Sequence, residues 1–86
     1  MTTTETISVT KRQVEILRWI ANYINSHGFS PTIREGMKAF GFDSPNGFVC
    51  HLQPLARKGL LVWVEGCPRT LRLTPAGVAL LEEVQP

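Results

Sequence analysis

Ser44-Pro45-Asn46-Gly47-Phe48-Val49-Cys50-His51-Leu52-Gln53-Pro54-Leu55-Ala56-Arg57-Lys58-Gly59 is the stretch around which the rest of this 86-residue chain is arranged. It opens as a helix opens: Ser44 is a capping residue, and Pro45 falls at the first helical position, where its missing N–H costs nothing. It closes as a helix closes, with Arg57 and Lys58 at the negative end of the dipole and Gly59 available as a left-handed stop. Phe48, Leu52 and Leu55 repeat at i, i+4 and i+7 and form one apolar stripe. The other face carries Asn46, Gly47, Val49, Cys50 and Gln53, all small or uncharged, with no acidic residue among them. A slim, hydrogen-bonding face with a cationic far end suits the major groove of DNA. A core helix whose outer face simply meets water would show the same pattern.

Pro54 interrupts this picture. Inside a helix it removes the hydrogen bond to the Cys50 carbonyl and crowds that oxygen, at about 3 kcal/mol or more. The helix is expected to kink there; the alternative is an early end, with residues 55–58 forming a separate turn.

Upstream, Thr10-Lys11-Arg12-Gln13 matches a capping box and starts a helix with Val14, Leu17, Ile20, Ala21 and Ile24 on one face. Lys11, Arg12 and Arg18 are expected in water, and the helix should end near Ser26 with Gly28 just beyond. Thr32-Ile33-Arg34-Glu35 is a second capping box. It starts a short helix with Ile33, Met37 and Phe40 inward and Gly41 as its stop. Gly36 within so short a helix costs about 1 kcal/mol relative to Ala, which suggests close packing or simple tolerance.

Downstream, Leu60–Val64 is a β-type run, Glu65-Gly66-Cys67-Pro68 reads as a turn, and Arg69–Leu73 alternates polar with apolar. Thr74-Pro75 opens a last short helix, whose Val78, Leu80, Leu81 and Val84 exceed what one core face needs. The expected fold class is mainly α with a small β-hairpin: a three-helix winged helix-turn-helix plus a short C-terminal helix. Residues 1–9 are expected to be a flexible arm, 10–73 the winged domain, and 74–86 a C-terminal helix able to join two copies.

Composition narrows the function classes. One domain of this length can bury a core without metals or disulfides. Cys50 and Cys67 have no C-x-x-C spacing and read as free thiols. No apolar run spans a membrane and no signal core opens the chain, so a cytoplasmic location is expected, with no membrane partner. The net charge of +2 permits a nucleic-acid partner without demanding one. No nucleophile with base and orienter, no phosphate loop and no zinc spacing is visible; an enzyme, a cofactor, a metal site and a small-molecule ligand are not expected.

From about Val9 to Leu73 the chain resembles the N-terminal DNA-binding domain of LexA-type SOS repressors. The matching residues are Thr10, Arg12, Gln13 and Val14, then Gly28, Pro31-Thr32 and Gly41-Phe42. Ser44-Pro45-Asn46, His51-Leu52 and Leu55-Ala56-Arg57-Lys58-Gly59 follow, with Gly66, Arg69 and Arg72 in the hairpin. The resemblance implies a winged helix-turn-helix that binds double-stranded DNA, with residues 44–57 as the recognition helix and 65–70 as the wing on the backbone. That family normally continues into a linker and a self-cleaving Ser-Lys protease domain, for which 86 residues leave no room; damage-triggered autocleavage is therefore not expected of this chain. Where the family carries two Glu residues this chain has Val49 and Cys50, where it carries two Ala residues Gly47 and Phe48, and Ile33 stands where an Arg is usual. Val cannot accept from a cytosine amine and favours a thymine methyl instead, so the target should differ from the usual SOS operator.

The expected DNA-contacting residues each have a plainer alternative. Ser44 caps the helix, contacts DNA, or does both. Asn46 can bridge an adenine or be merely solvated. Val49 and Gln53 extend the same face. Gly47 allows a close approach or is a helix defect. Cys50 is a small filler or an oxidation-sensitive thiol. Arg12, Lys58, Arg69 and Arg72 are backbone-contact candidates, or else ordinary solvated charge, and Thr32 is a further DNA-binding candidate beside its part in the capping box. His51 is expected to pack or to sit at the surface. The competing function is a protein-interaction module that uses apolar Phe48, Val49 and Trp63 surfaces.

Overall fold

The computed structural model describes residues 9–83. Thr2–Ser8 of the expected arm, and Val84, lie outside the described residues. Val9, placed at the end of that arm, already packs on the core.

Helix α1 spans Lys11–His27, and its capping box forms as expected. The Gln13 N–H donates to Thr10 Oγ1 at 3.1 Å and the Thr10 N–H to Gln13 Oε1 at 2.9 Å. The buried face is Gln13, Ile16, Leu17 and Ile20, while Val14, Ala21 and Ile24 are half-buried flanks. The expected stripe is thus turned towards Ile16. Helix α1 is packed from several sides, so its core face is wider than a single seam. Gln13 can be buried because the cap satisfies its amide. Arg18, expected in water, is half-buried; its Nε and Nη2 are enclosed without a hydrogen-bond partner.

Helix α2, Ile33–Phe40, has its own complete capping box between Thr32 and Glu35. It ends in a Schellman motif: Gly41 is left-handed at φ 75°, and the Phe42 N–H donates to the Met37 carbonyl at 2.9 Å. Helix α3, Pro45–Arg57, runs through Pro54 as one helix, so the separate turn is not formed. Cys50, whose carbonyl Pro54 leaves without its usual donor, is exposed to water. Gly59, at φ 77°, closes a second Schellman motif in which the Leu60 N–H donates to the Leu55 carbonyl at 3.0 Å.

An antiparallel hairpin pairs β1 (Leu61–Val62) with β2 (Arg72–Leu73), in the register Leu61↔Leu73 and Val62↔Arg72. Both strands are shorter than expected. Beyond Val62 the ladder is replaced by the Thr70 hydroxyl, which accepts from the Val64 N–H at 2.8 Å and lies 3.0 Å from the Cys67 carbonyl, to which it can donate. A turn across Val64–Cys67 closes the tip, with Gly66 at φ 84° in the position that requires a positive angle.

Helix α4, Pro75–Glu83, is tied to the end of α3: the Thr74 N–H donates to the Leu60 carbonyl at 3.1 Å, and its hydroxyl donates to the Gly59 carbonyl. Gly77 lies against the Leu60 carbonyl, where a Cβ would collide with backbone. Leu80 and Leu81 are buried in the common core, which removes Leu81 from the expected joining surface. Val78 alone of the described residues proposed for it is exposed, at 45%. No helix among the described residues is long and apolar enough to cross a membrane.

The candidate DNA interface

What holds the recognition helix is an aromatic hub at its base. Phe48 is completely buried, stacks on Phe40 with centroids 6.1 Å apart and meets the edge of Trp19 at 6.1 Å. These rings come from three different helices, so the pose of α3 is set by packing between them. Gly36 permits it: a Cβ on Gly36 would occupy the Phe48 ring. The close-packing reading of Gly36 is the one the structure bears out. Because Phe48 contributes nothing to the surface, the apolar Phe48/Val49 face of the competing reading does not exist as such; Val49 alone is half-exposed there.

The outward face of α3 presents Asn46, Cys50 and Gln53 as exposed residues, with Gly47 and Val49 half-exposed between them. Phe48, Leu52 and Leu55 all point inward. No Asp, Glu, Lys or Arg occurs between Pro45 and Ala56, so the face is uncharged along its length. Ser44 occupies the cap position, yet its side chain makes no capping hydrogen bond. Gly47 has a local cause, since a Cβ there would press on the Phe42 ring at 3.2 Å. His51 is half-buried with its ring 5.3 Å from Phe42. Asp43, exposed just ahead of Ser44, is an acidic neighbour.

The cations are distributed rather than gathered. Arg12 pairs with Glu15 at 3.3 Å and lies 5.4 Å from the centre of the Phe40 ring, near the turn between α2 and α3. Arg72 is exposed on β2, beside Gly28 and Phe29 at the other end of α1. The two thus lie along different parts of α1, Arg12 in its first turn and Arg72 at a cleft lined by Ala21, Ile24, Asn25 and Gly28. Lys58 is the exposed cap residue at the end of α3. Thr32 uses its hydroxyl to accept from the Glu35 N–H at 3.1 Å.

Arg69, a backbone-contact candidate or else ordinary solvated charge by sequence, turns back onto the chain at the return of the wing. Its Nη1 donates to the Ser30 carbonyl at 2.9 Å, its two terminal nitrogens lie 3.4 Å from the two Glu35 oxygens, and its guanidinium covers the Phe29 ring at 4.6 Å. The Thr32 backbone N–H, and after it Tyr23 and Arg69, hold the Glu35 carboxyl below its ordinary value.

One cation was missed by sequence reasoning. Arg34 is exposed in the first turn of α2 and lines a shallow cleft of about 350 Å³ whose far wall is Trp63, Val64, Gly66, Cys67 and Pro68. Its only sequence signal is its place next to Ile33. The two thiols are free and exposed, Cys50 on the recognition face and Cys67 in the wing.

Comparison with known proteins agrees with this geometry. The LexA DNA binding domain profile matches residues 7–70. A LexA repressor of Aromatoleum aromaticum is 46% identical over 77 residues, covering 88% of this chain and 38% of that protein. The LexA repressor of Pseudomonas aeruginosa is 43% identical over 65 residues, 76% of this chain and 32% of its own length. A protein named transcription regulator LexA from Synechocystis is 34% identical over 80 residues, 90% of this chain and 39% of its own. The chain thus spans less than two fifths of the length of these relatives. Matched over most of its own length, from the first capping box to the wing, this chain belongs to the LexA DNA-binding domain family.

Proposed function

We propose that this chain is a sequence-specific double-stranded DNA-binding domain of a LexA-like transcriptional repressor, a binder rather than a catalyst. The observation that carries this reading is the division of α3, with Phe48, Leu52 and Leu55 fully buried and the uncharged Asn46, Cys50 and Gln53 left in water. A face of this kind reads base edges by hydrogen bonds and apolar contact, not by charge. Asn46 bridges an adenine; Val49 and Cys50 fit a thymine methyl; Gln53 serves as a second amide further along the groove. Ser44, with its hydroxyl unused by the cap, contacts a phosphate or base at the entry point.

Positive charge from Arg12 at one end and Arg72 at the other, with Lys58, Arg34 and the head of α2 at Thr32, engages the sugar-phosphate backbone. A single module of this size covers only about 600–1,000 Å² of DNA contact, so tight operator binding calls for two copies on a two-fold site. With Leu81 in the core, pairing of two copies would have to use α4 around Val78.

Selection of bound sequences from a randomised duplex library, at two salt concentrations, tests the reading. The expected result is an enriched motif that is lost with Asn46→Ala and an affinity that falls as salt rises. Binding without any motif would remove sequence readout, and no binding at low salt would remove the DNA function.

A further inference from the structure

Arg69 sits at the return of the wing in a left-handed conformation, φ 60°, a region unfavourable for a residue with a side chain. Such a conformation persists when surrounding contacts over-determine it. Those contacts come from residues 29–35, the connection into α2 and its first turn, together with Tyr23 on α1. The Ser30 carbonyl accepts from Nη1, the Glu35 carboxylate faces both terminal nitrogens, and Phe29 lies beneath the guanidinium plane. Glu35 Oε1 is shared, because it also accepts from the Thr32 N–H at 2.9 Å. The same carboxylate thus closes the cap of α2 and receives the wing. Within the wing the residues are already knotted to one another through Thr70, so the loop can move as a unit about its short strands, and Arg69 ties it to the helix-turn-helix.

We propose that Arg69 is a positioning residue, which sets the distance between the wing and helix α2 through Ser30 and Glu35 and acts on DNA only through the wing it holds. The proposal rests on the DNA-binding reading above and replaces the phosphate contact expected of Arg69. The opposite role, a direct phosphate contact, makes different predictions for Glu35. If Arg69 is a clasp, Glu35→Gln loosens the wing and weakens binding, even though it removes a negative charge. If Arg69 grips phosphate, Glu35→Gln releases it and strengthens binding.

The experiment is a double-mutant cycle of Arg69→Gln and Glu35→Gln, measured as duplex affinity across a salt series. Gln at position 35 keeps the capping box intact. Each single change is expected to weaken binding about two- to fivefold, the range of an exposed charge pair, and the double variant no further than either alone. The salt slope should stay as in the parent, and Arg69→Lys should not restore affinity, because Lys lacks the planar fork. A slope reduced by about 0.9 in Arg69→Gln, with tighter binding in Glu35→Gln, would overturn the proposal.

A second readout does not depend on DNA. A nitroxide on the exposed Cys67, in a Cys50→Ser background, should become more mobile in both variants. Unchanged mobility in both would refute the clasp even if no duplex bound, and increased mobility, with no duplex binding by the unlabelled parent chain that keeps Cys50, would support the clasp while sinking the DNA function.

Discussion

Helix α3 and the wing are both expected to meet the same ligand, yet they are held by different physics. The helix is pinned by apolar packing: Phe48, Leu52 and Leu55 are wholly buried, and the Phe48 ring fills the space that Gly36 leaves open. The wing is held by two-residue strands, one threonine hydroxyl and the ties of Arg69 to Ser30, Phe29 and Glu35, the last an ion pair whose side chains are 42% and 37% exposed. Packing of the first kind fixes one pose, because removing it leaves a cavity that neighbours fill only partly. Polar ties of the second kind are worth about 1 kcal/mol or less each and are screened by salt. The contrast suggests a rigid reader beside an adjustable clamp.

The largest test of this contrast is Phe48→Ala. Truncating a fully buried Phe costs about 3–5 kcal/mol, a large part of what a domain of this size has to lose. Urea denaturation should show the unfolding free energy falling by that amount, with the slope unchanged. A loss below about 1 kcal/mol would mean that the hub does not set the helix. Next comes Gly36→Ala, where two effects oppose each other. Helix propensity alone predicts a gain of about 1 kcal/mol. The Cβ, however, would occupy the Phe48 ring, and overpacking of this kind typically costs about 1–3 kcal/mol. The expected outcome is net destabilisation of up to about 2 kcal/mol, with weaker duplex binding as Phe48 shifts α3. Stabilisation instead would show that the α2–α3 contact has room to give.

These two residues also mark what the sequence could disclose. Helix ends were legible because their signals are local: Thr10 with Gln13, Thr32 with Glu35, and the left-handed Gly28, Gly41 and Gly59 each act within a few residues. The inward stripe of α3 was legible for the same reason. The phase of α1 was not, because Ile16 and Val14 are both plausible core residues until it is known which neighbours surround the helix. Leu81 was misplaced by the same ambiguity, an apolar surplus whose destination lies elsewhere in the chain. Of the candidate DNA contacts, the exposed face of α3 followed from periodicity. The fate of Arg69 did not, since its partners Ser30 and Glu35 lie 39 and 34 residues away. At Gly47 the sequence leaves a close approach and a helix defect equally open, because the Phe42 ring that an added Cβ would meet shows only in the fold.

The smallest effect belongs to the joint between the two regions. Glu35 titrates below its ordinary value of 4.5 because the folded chain favours its ionised form, first through the Thr32 N–H. A carboxyl depressed on folding stabilises the native state at pH above its unfolded value, and that contribution disappears as pH falls through the folded one. Stability should therefore decline below about pH 4.5, in part through this group. Other carboxylates titrate there too, so the measurement is a difference: urea midpoints of the parent and of Glu35→Gln, each at pH 6 and pH 3. Gln keeps the cap but has no proton to gain, so its midpoint should fall less. Because the pair is exposed, the gap between the two pH responses should be under about 1 kcal/mol. A gap several times larger would place Glu35 in a tight, desolvated joint and make the wing as rigid as the helix it serves; no gap would mean that the cap and the clasp hold a neutral side chain as well as a charged one.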